Sequence, residues 1–235
     1  MSDIFGNALL DYQNGHYTED IITFSSLDEK DVIPLPYLFR DFDTMPLLEQ
    51  KALELCKGKI LDIGSGAGSH SLYLQEKGYD TTALDNSMGA IQTCKLRGVK
   101  QLAHADFYSF EQQKFDTLLL LMNGIGLAQK LKNLNRFFTH LKSLLKTKGQ
   151  ILLDSSDIIY MFEEDTDGGY WIADTSTYYG EVEFTMKYKG EKTNPFYWLY
   201  LDYNTLQRAA HANNLCCELI YEGEHYDYLA RLTAE

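Results

Sequence analysis

Residues 59–71, "KILDIGSGAGSHS", place three glycines at alternate positions directly after an apolar run. No other feature narrows the fold so far. A strand that runs through Gly64, Gly66 and Gly68 into a helix brings bare backbone N–H groups to the mouth of a parallel sheet. Three glycines so spaced cost backbone entropy on folding, which a tight connection alone explains poorly. The turn reads as a place where the backbone closely approaches a bound group.

The surrounding pattern agrees. Apolar runs at 59–63, 80–85, 100–106, 115–122 and 149–155 alternate with helical spacing at about 67–77, 87–97 and 130–146. In the last of these Leu131, Leu134, Phe138, Leu141 and Leu145 share one face. Strand–helix alternation with continuous apolar strands predicts a parallel sheet covered on both faces. Upstream, a helix is expected over about 44–57, capped by Thr44, with Pro46 in its first turn and Gly58 as its stop. Residues 1–43 carry "NG", "SSLDEKD" and "PLP" breaks and suggest irregular structure with short helical pieces. Beyond Asp154 the pattern changes. Residues 160–203 hold thirteen of the 31 aromatics, both tryptophans among them, and 180–202 read as two strands around a Gly-Glu-Lys-Thr turn. A helix near 204–214 and two strands complete the chain.

Charge and cysteines bound the partners. A formal charge of −13 argues against a polyanion, so nucleic acid is not expected and a small molecule is the better partner. Cys56, Cys94, Cys216 and Cys217 match no zinc or CxxC spacing, and the six histidines form no cluster, so no metal site is expected. No run approaches the ~18 apolar residues of a membrane span. The first residues lack a basic head and long apolar core, so the expected setting is cytoplasmic.

A dinucleotide turn wants a third glycine at position 69, which is serine here. The pattern D-x-G-x-G-x-G fits fully from Asp62 to Gly68, and acids close the next two strands, Asp85 in "TALDNS" and Asp106 in "HADFYSF". In these elements the chain resembles the class I S-adenosylmethionine-dependent methyltransferases, most strongly over 44–155. The resemblance implies an α/β fold: a doubly wound, mostly parallel seven-stranded sheet with an antiparallel last strand. With no low-complexity linker and no repeat, the chain reads as one domain: an N-terminal helical cap (1–57), a cofactor core (58–156), an aromatic β insertion whose density suits a substrate lid (157–203) and a terminal helix and strand pair (204–235).

The resemblance also implies roles. S-adenosyl-L-methionine would be the cofactor, with Asp62 near its amino-acid end and Gly64, Ser65, Gly66 and Gly68 forming the turn beneath it. Asp85 would hold the ribose, Asn86 and Ser87 would line the adenine side, and Asp106 with Phe107 would hold adenine. Asn123 falls where the fourth strand faces the sulfonium and the acceptor. The Asp/Asn-Pro-Pro-Tyr/Phe signature of amino-methylating relatives is absent after Asn123, which places DNA-adenine and glutamine-type methylation in doubt.

Arg40 suits the cofactor carboxylate, since its guanidinium fork matches one, but a surface pair with Asp41 or Asp43 is an equal alternative. No residue declares itself as a general base; His70, His16, Tyr170 and Tyr197 are the candidates. His104 is expected in the core. Three rival readings stay open: a non-catalytic cofactor-binding domain, a nicotinamide-type oxidoreductase, and aminopropyl transfer on the same fold.

Overall fold

The computed structural model describes residues 3–111, 113–166, 168–172 and 177–234. Parts of the expected insertion, 167 and 173–176, lie outside the described residues.

The chain opens with α1 (Ile4–Gln13), β1 (Ile21–Ser25), β2 (Lys30–Ile33) and the short α2 (Leu35–Leu38), followed by α3 (Leu47–Leu55). The central alternation gives β3 (Lys59–Ile63), α4 (Ser69–Glu76), β4 (Asp80–Asp85), α5 (Met88–Arg97), β5 (Gln101–His104), β6 (Phe115–Leu120), α6 (Leu134–Leu144) and β7 (Leu145–Ser156). Then come β8 (Glu163–Glu164), β9 (Tyr170–Trp171), β10 (Glu181–Tyr188), β11 (Glu191–Lys192) and β12 (Phe196–Leu199). The chain closes with α7 (Tyr203–His211), β13 (Leu215–Glu222) and β14 (Asp227–Ala234).

The main sheet has seven strands in the order β13-β14-β7-β6-β3-β4-β5. β3 to β7 run parallel, and β14 lies antiparallel between β7 and β13. The chain order reverses between β3 and β6, and an open α/β sheet offers its crevice at such a switch. Both faces are covered, as the continuous apolar runs require. Phe137, Phe138, Leu141 and Leu144 of α6 and Leu206 and Ala210 of α7 pack one face. On the other, Leu48, Ala52 and Leu53 of α3 meet Ile60, Leu119 and Leu152.

The expected cap for α3 is not Thr44. Thr44 ends a one-turn helix (Phe42–Thr44) capped by Asp41, and α3 begins after Pro46 with no side-chain cap. The N-terminal segment also holds more than helix. β1 pairs antiparallel with β2 and with β10, while β10 pairs with β11 and β12, so residues on both sides of the core build one second sheet. β1 and β2 are short and bounded by polar residues, and the strand that joins this hairpin to a larger sheet, β10, comes about 160 residues later. That is why local reading misses it.

Candidate active site

The glycine turn takes the conformation its spacing demands. Gly64, Gly66 and Gly68 have φ of 76°, 54° and 82°, in the left-handed region that side-chain-bearing residues avoid. At Gly64 a Cβ would meet no atom of the described residues beyond its chain neighbours within 4 Å, while at Gly68 it would come within 2.8 Å of Cys94 Sγ. Gly64 thus leaves the cradle open, and Gly68 lets α4 pack against α5. Ser65 is buried, with its hydroxyl near Cys94 Sγ.

Asp85 ends β4 beside this turn. Its Oδ2 accepts from Gly66 N at 2.9 Å and its Oδ1 from Ser87 N at 2.8 Å. Burial pushes its carboxyl above the usual range, against the pull of those two N–H groups. Ser87 caps α5, accepting from Ala90 N, and its hydroxyl donates to Asp3 Oδ2. Asp3 also accepts from Gly89 N and caps α1 through Gly6 N. These bonds draw α1 across the site, and Phe5 lies 3.9 Å from the point where a Gly66 Cβ would sit. Asn86 is exposed, and its carbonyl oxygen is hydrogen-bonded by His104 Nε2 at 3.1 Å. His104 is therefore exposed on the edge strand, not in the core; β5 has a neighbour on one side only, which leaves its side chains accessible.

Asp106 is exposed and accepts from Tyr108 N, opening a one-turn helix (Phe107–Ser109). Phe107 is buried against Phe137 and the edge of the His140 ring. Asp62 lies fully inside, one residue before the end of β3, and accepts from Ser71 Oγ at 2.6 Å. Burial raises its carboxyl, partly offset by the His70 charge and the Ser71 bonds. It ties the start of α4 to the strand beneath the turn.

Arg40 does not form the surface pair with Asp41 or Asp43; it lies inside the protein. It is 7% exposed, and its Nη2 lies 2.5 Å from both oxygens of Glu49, a residue of α3. Its Nη1 donates to the Tyr37 carbonyl, and its Nε is buried without a partner among the described residues. His70 Nε2 closes the group at 2.8 Å from Glu49 Oε2. Burial pushes the Glu49 carboxyl up, and the bonds and charges of His70 and Arg40 more than reverse this, leaving it below the usual range. His70 is thus a partner of a buried carboxylate rather than a free base facing solvent.

The other base candidates are spread out. His16 is exposed just beyond α1, whose opposite end touches the glycine turn; ten residues of helix put about 15 Å between those ends. Tyr170 lies in the β8–β9 ribbon near Tyr226. Tyr197 sits on β12 under Lys130, whose Nζ is 3.5 Å from the ring centre.

Asn123 follows β6 at the carboxyl end of the sheet, with its backbone N–H on Asp154 Oδ2 and that of Gly124 on Asp154 Oδ1. Burial pushes Asp154 up to about 6 against those two donors. Two acids, Glu49 and Asp154, escaped the sequence reading. Asp154 carried a signal, since it ends an apolar run as Asp85 does. Glu49 carried a fainter one, a carboxylate on the apolar face of α3. Among the described residues no group of His, Cys, Asp and Glu is arranged for a metal, and no helix is long and apolar enough to cross a membrane.

Comparison with known proteins bears on the same residues. Residues 61–153 match the family model described as a methyltransferase domain. No curated protein matches the chain. Among solved structures, a SAM-dependent methyltransferase from Bacteroides fragilis in complex with S-adenosyl-L-homocysteine is 44% identical, with a TM-score of 0.91 over 99% of this chain and 94% of that one. DesVI of Streptomyces venezuelae shares the fold at 17% identity and a TM-score of 0.58, over 86% of this chain and 96% of its own. CalS10, an amino pentose methyltransferase from Micromonospora echinaspora, does so at 13% and 0.57, over 83% and 94%. The left-handed glycine cradle, the switch-point sheet and the full-length likeness to the B. fragilis enzyme agree: this chain belongs to the S-adenosylmethionine-dependent methyltransferases.

Proposed function

We propose that the chain transfers the cofactor's methyl group to a small-molecule acceptor admitted between the carboxyl ends of β6 and β7 and the second sheet. The observation that carries this reading is the open cradle at Gly64–Gly68 with Asp85 at the end of the neighbouring strand. Bound there, S-adenosylmethionine supplies a methyl group already activated on sulfur, so the protein's main task is alignment of acceptor and donor.

The residues fit the group. A carboxylate has about four lone-pair sites, and Asp85 uses two on Gly66 and Ser87, leaving two for the ribose hydroxyls. Phe107 offers an apolar face for adenine beside Asp106, with Asn86 and Ser87 on the rim. The buried Nε of Arg40, without a partner among the described residues, suits the cofactor carboxylate. Asp62 acts from beneath, bracing the turn through Ser71.

The acceptor side supports a small, neutral or cationic molecule. Glu49, Tyr37 and Tyr200 each stand within electrostatic reach of Asp154 there, and Arg40 is neutralised by Glu49. The amino pentose specificity of CalS10, a protein of like fold, is in keeping with that size class.

The test is a thermal melt with S-adenosylhomocysteine, S-adenosylmethionine and NAD. A ligand at 100 times its Kd stabilises by about 2.7 kcal/mol, roughly 5–10 °C for a chain this size. The two adenosyl compounds should shift the melt and NAD should not. Asp85→Asn should weaken S-adenosylhomocysteine at least about tenfold, since each lost hydrogen bond to a charged group is worth roughly 1.5–3 kcal/mol. Unchanged affinity in a folded variant would remove the ribose assignment.

A further inference from the structure

Met122 and Asn123 are consecutive non-glycine residues with φ of 65° and 60°. Such residues avoid the left-handed region, and two in a row persist only where their surroundings over-determine them. Here the surroundings are specific. Asp154 Oδ2 accepts from Asn123 N at 3.0 Å and Oδ1 from Gly124 N at 2.9 Å, so one carboxylate pins both peptide groups of the turn.

The contacts continue outward from that turn. The Asn123 side chain is used at both ends: Oδ1 accepts from Ser155 Oγ at 2.9 Å, and Nδ2 donates to the Leu199 carbonyl of β12 at 3.1 Å. Ser155 Oγ also accepts from Leu201 N. Between these bonds the Trp198 indole lies on the backbone of Gly126, where a Cβ would stand 2.0 Å from Nε1. A continuous set of contacts thus runs from the end of β7, through the turn after β6, to the second sheet.

We propose that Asp154 is a positioning residue: its carboxylate clamps the Met122–Asn123 turn and, through Asn123 and Ser155, sets where the second sheet rests over the acceptor face. The catalytic consequence rests on the methyl-transfer reading; the clamp itself does not. An ionised carboxylate is acceptor-only and matches two N–H donors, whereas an amide offers one oxygen and turns a donor toward the other N–H. Protonation has a related effect, replacing acceptor capacity with an O–H. With Asp154 pushed up to about 6, the clamp loosens within an accessible range. The ionisable groups facing it are Glu49 of α3, His70 of α4, Tyr37 of α2, Tyr200 after β12 and Tyr228 of β14.

Trp198 reports on the clamp, and the chain has only two tryptophans. Trp171 is largely exposed on β9, so Trp171→Phe leaves Trp198 as the single emitter. At pH 7.5, without cofactor or acceptor, adding Asp154→Asn should red-shift Trp198 emission by several nanometres and raise acrylamide quenching about twofold. From pH 5 to 8 the W171F protein should show one transition near 6, absent in W171F/D154N and retained in W171F/H70Q. Identical emission and quenching with and without D154N would overturn the proposal, as would a transition that survives D154N or vanishes with H70Q. Should D154N not fold, Ser155→Ala, which cuts the bridge to Leu201 and Asn123 and leaves the carboxylate in place, must raise quenching; no change would equally overturn it. S-adenosylhomocysteine affinity of the W171F protein is read in parallel. Its absence would sink the methyl-transfer reading and leave the clamp standing.

Discussion

Gly89→Ala probes how tightly the N-terminal helix is held over the cofactor cradle. A Cβ at Gly89, in the first turn of α5, would lie 2.4–2.6 Å from the backbone of Gly6 in α1. Ordinary contact begins near 3.4 Å, so the methyl group is about 1 Å too close to atoms that cannot rotate away. α1 cannot leave cheaply. It buries Ile4, Ala8 and Leu9, and it is fastened at one end by Asp3 to Ser87 and Gly89 and at the other by Asp11 to Tyr188 and Lys189. Burying each of the larger side chains is worth about 1.5–3 kcal/mol, so a strained, shifted α1 is favoured over an undocked one. Overpacking of that kind costs roughly 1–3 kcal/mol, against a gain of at most about 1 kcal/mol for replacing a helical glycine. The net loss of about 1–2 kcal/mol lowers Tm by roughly 2–8 °C. Because Phe5 of the same helix lies over Gly66, S-adenosylhomocysteine affinity by calorimetry should fall several-fold as well. A variant as stable as the parent and unchanged in affinity would show that this helix crossing neither holds α1 nor shapes the cradle.

Two further outcomes follow from buried charge. Arg40→Met leaves Glu49 inside the protein with His70 alone and should cost about 3–5 kcal/mol in urea unfolding, and Arg40→Met with Glu49→Leu should recover most of it. Asp154 stands at about 6 against an ordinary 3.8, so its ionisation disfavours the fold. Its stabilising contribution is full below the ordinary value and is lost as pH rises through 6, about 3 kcal/mol in all. Between pH 5 and 7.5 roughly half of that disappears. The Tm of the parent should accordingly decline relative to Asp154→Asn by about 3–5 °C across that interval, and a constant difference between the two proteins would contradict the burial argument.

Much of this molecule is written locally. The run 59–71 contains a strand, a turn only glycine tolerates and a helix start, because each depends on neighbours within a few residues. The acids at 85 and 106 were legible for the same reason: they close apolar runs. Only the tertiary structure decided the rest. β1 and β10 lie far apart in the chain, and neither shows its partner in its own residues. Arg40 was readable as a carboxylate-binding side chain, yet which carboxylate it meets depended on α3 packing Glu49 inward beside His70. His104 was misplaced because edge position is a property of strand order, which hydropathy does not encode. Asp154 closes an apolar run as visibly as Asp85 does. Its role arises from a turn thirty residues upstream, whose left-handed backbone needs two acceptors that only folding brings within 3.0 Å.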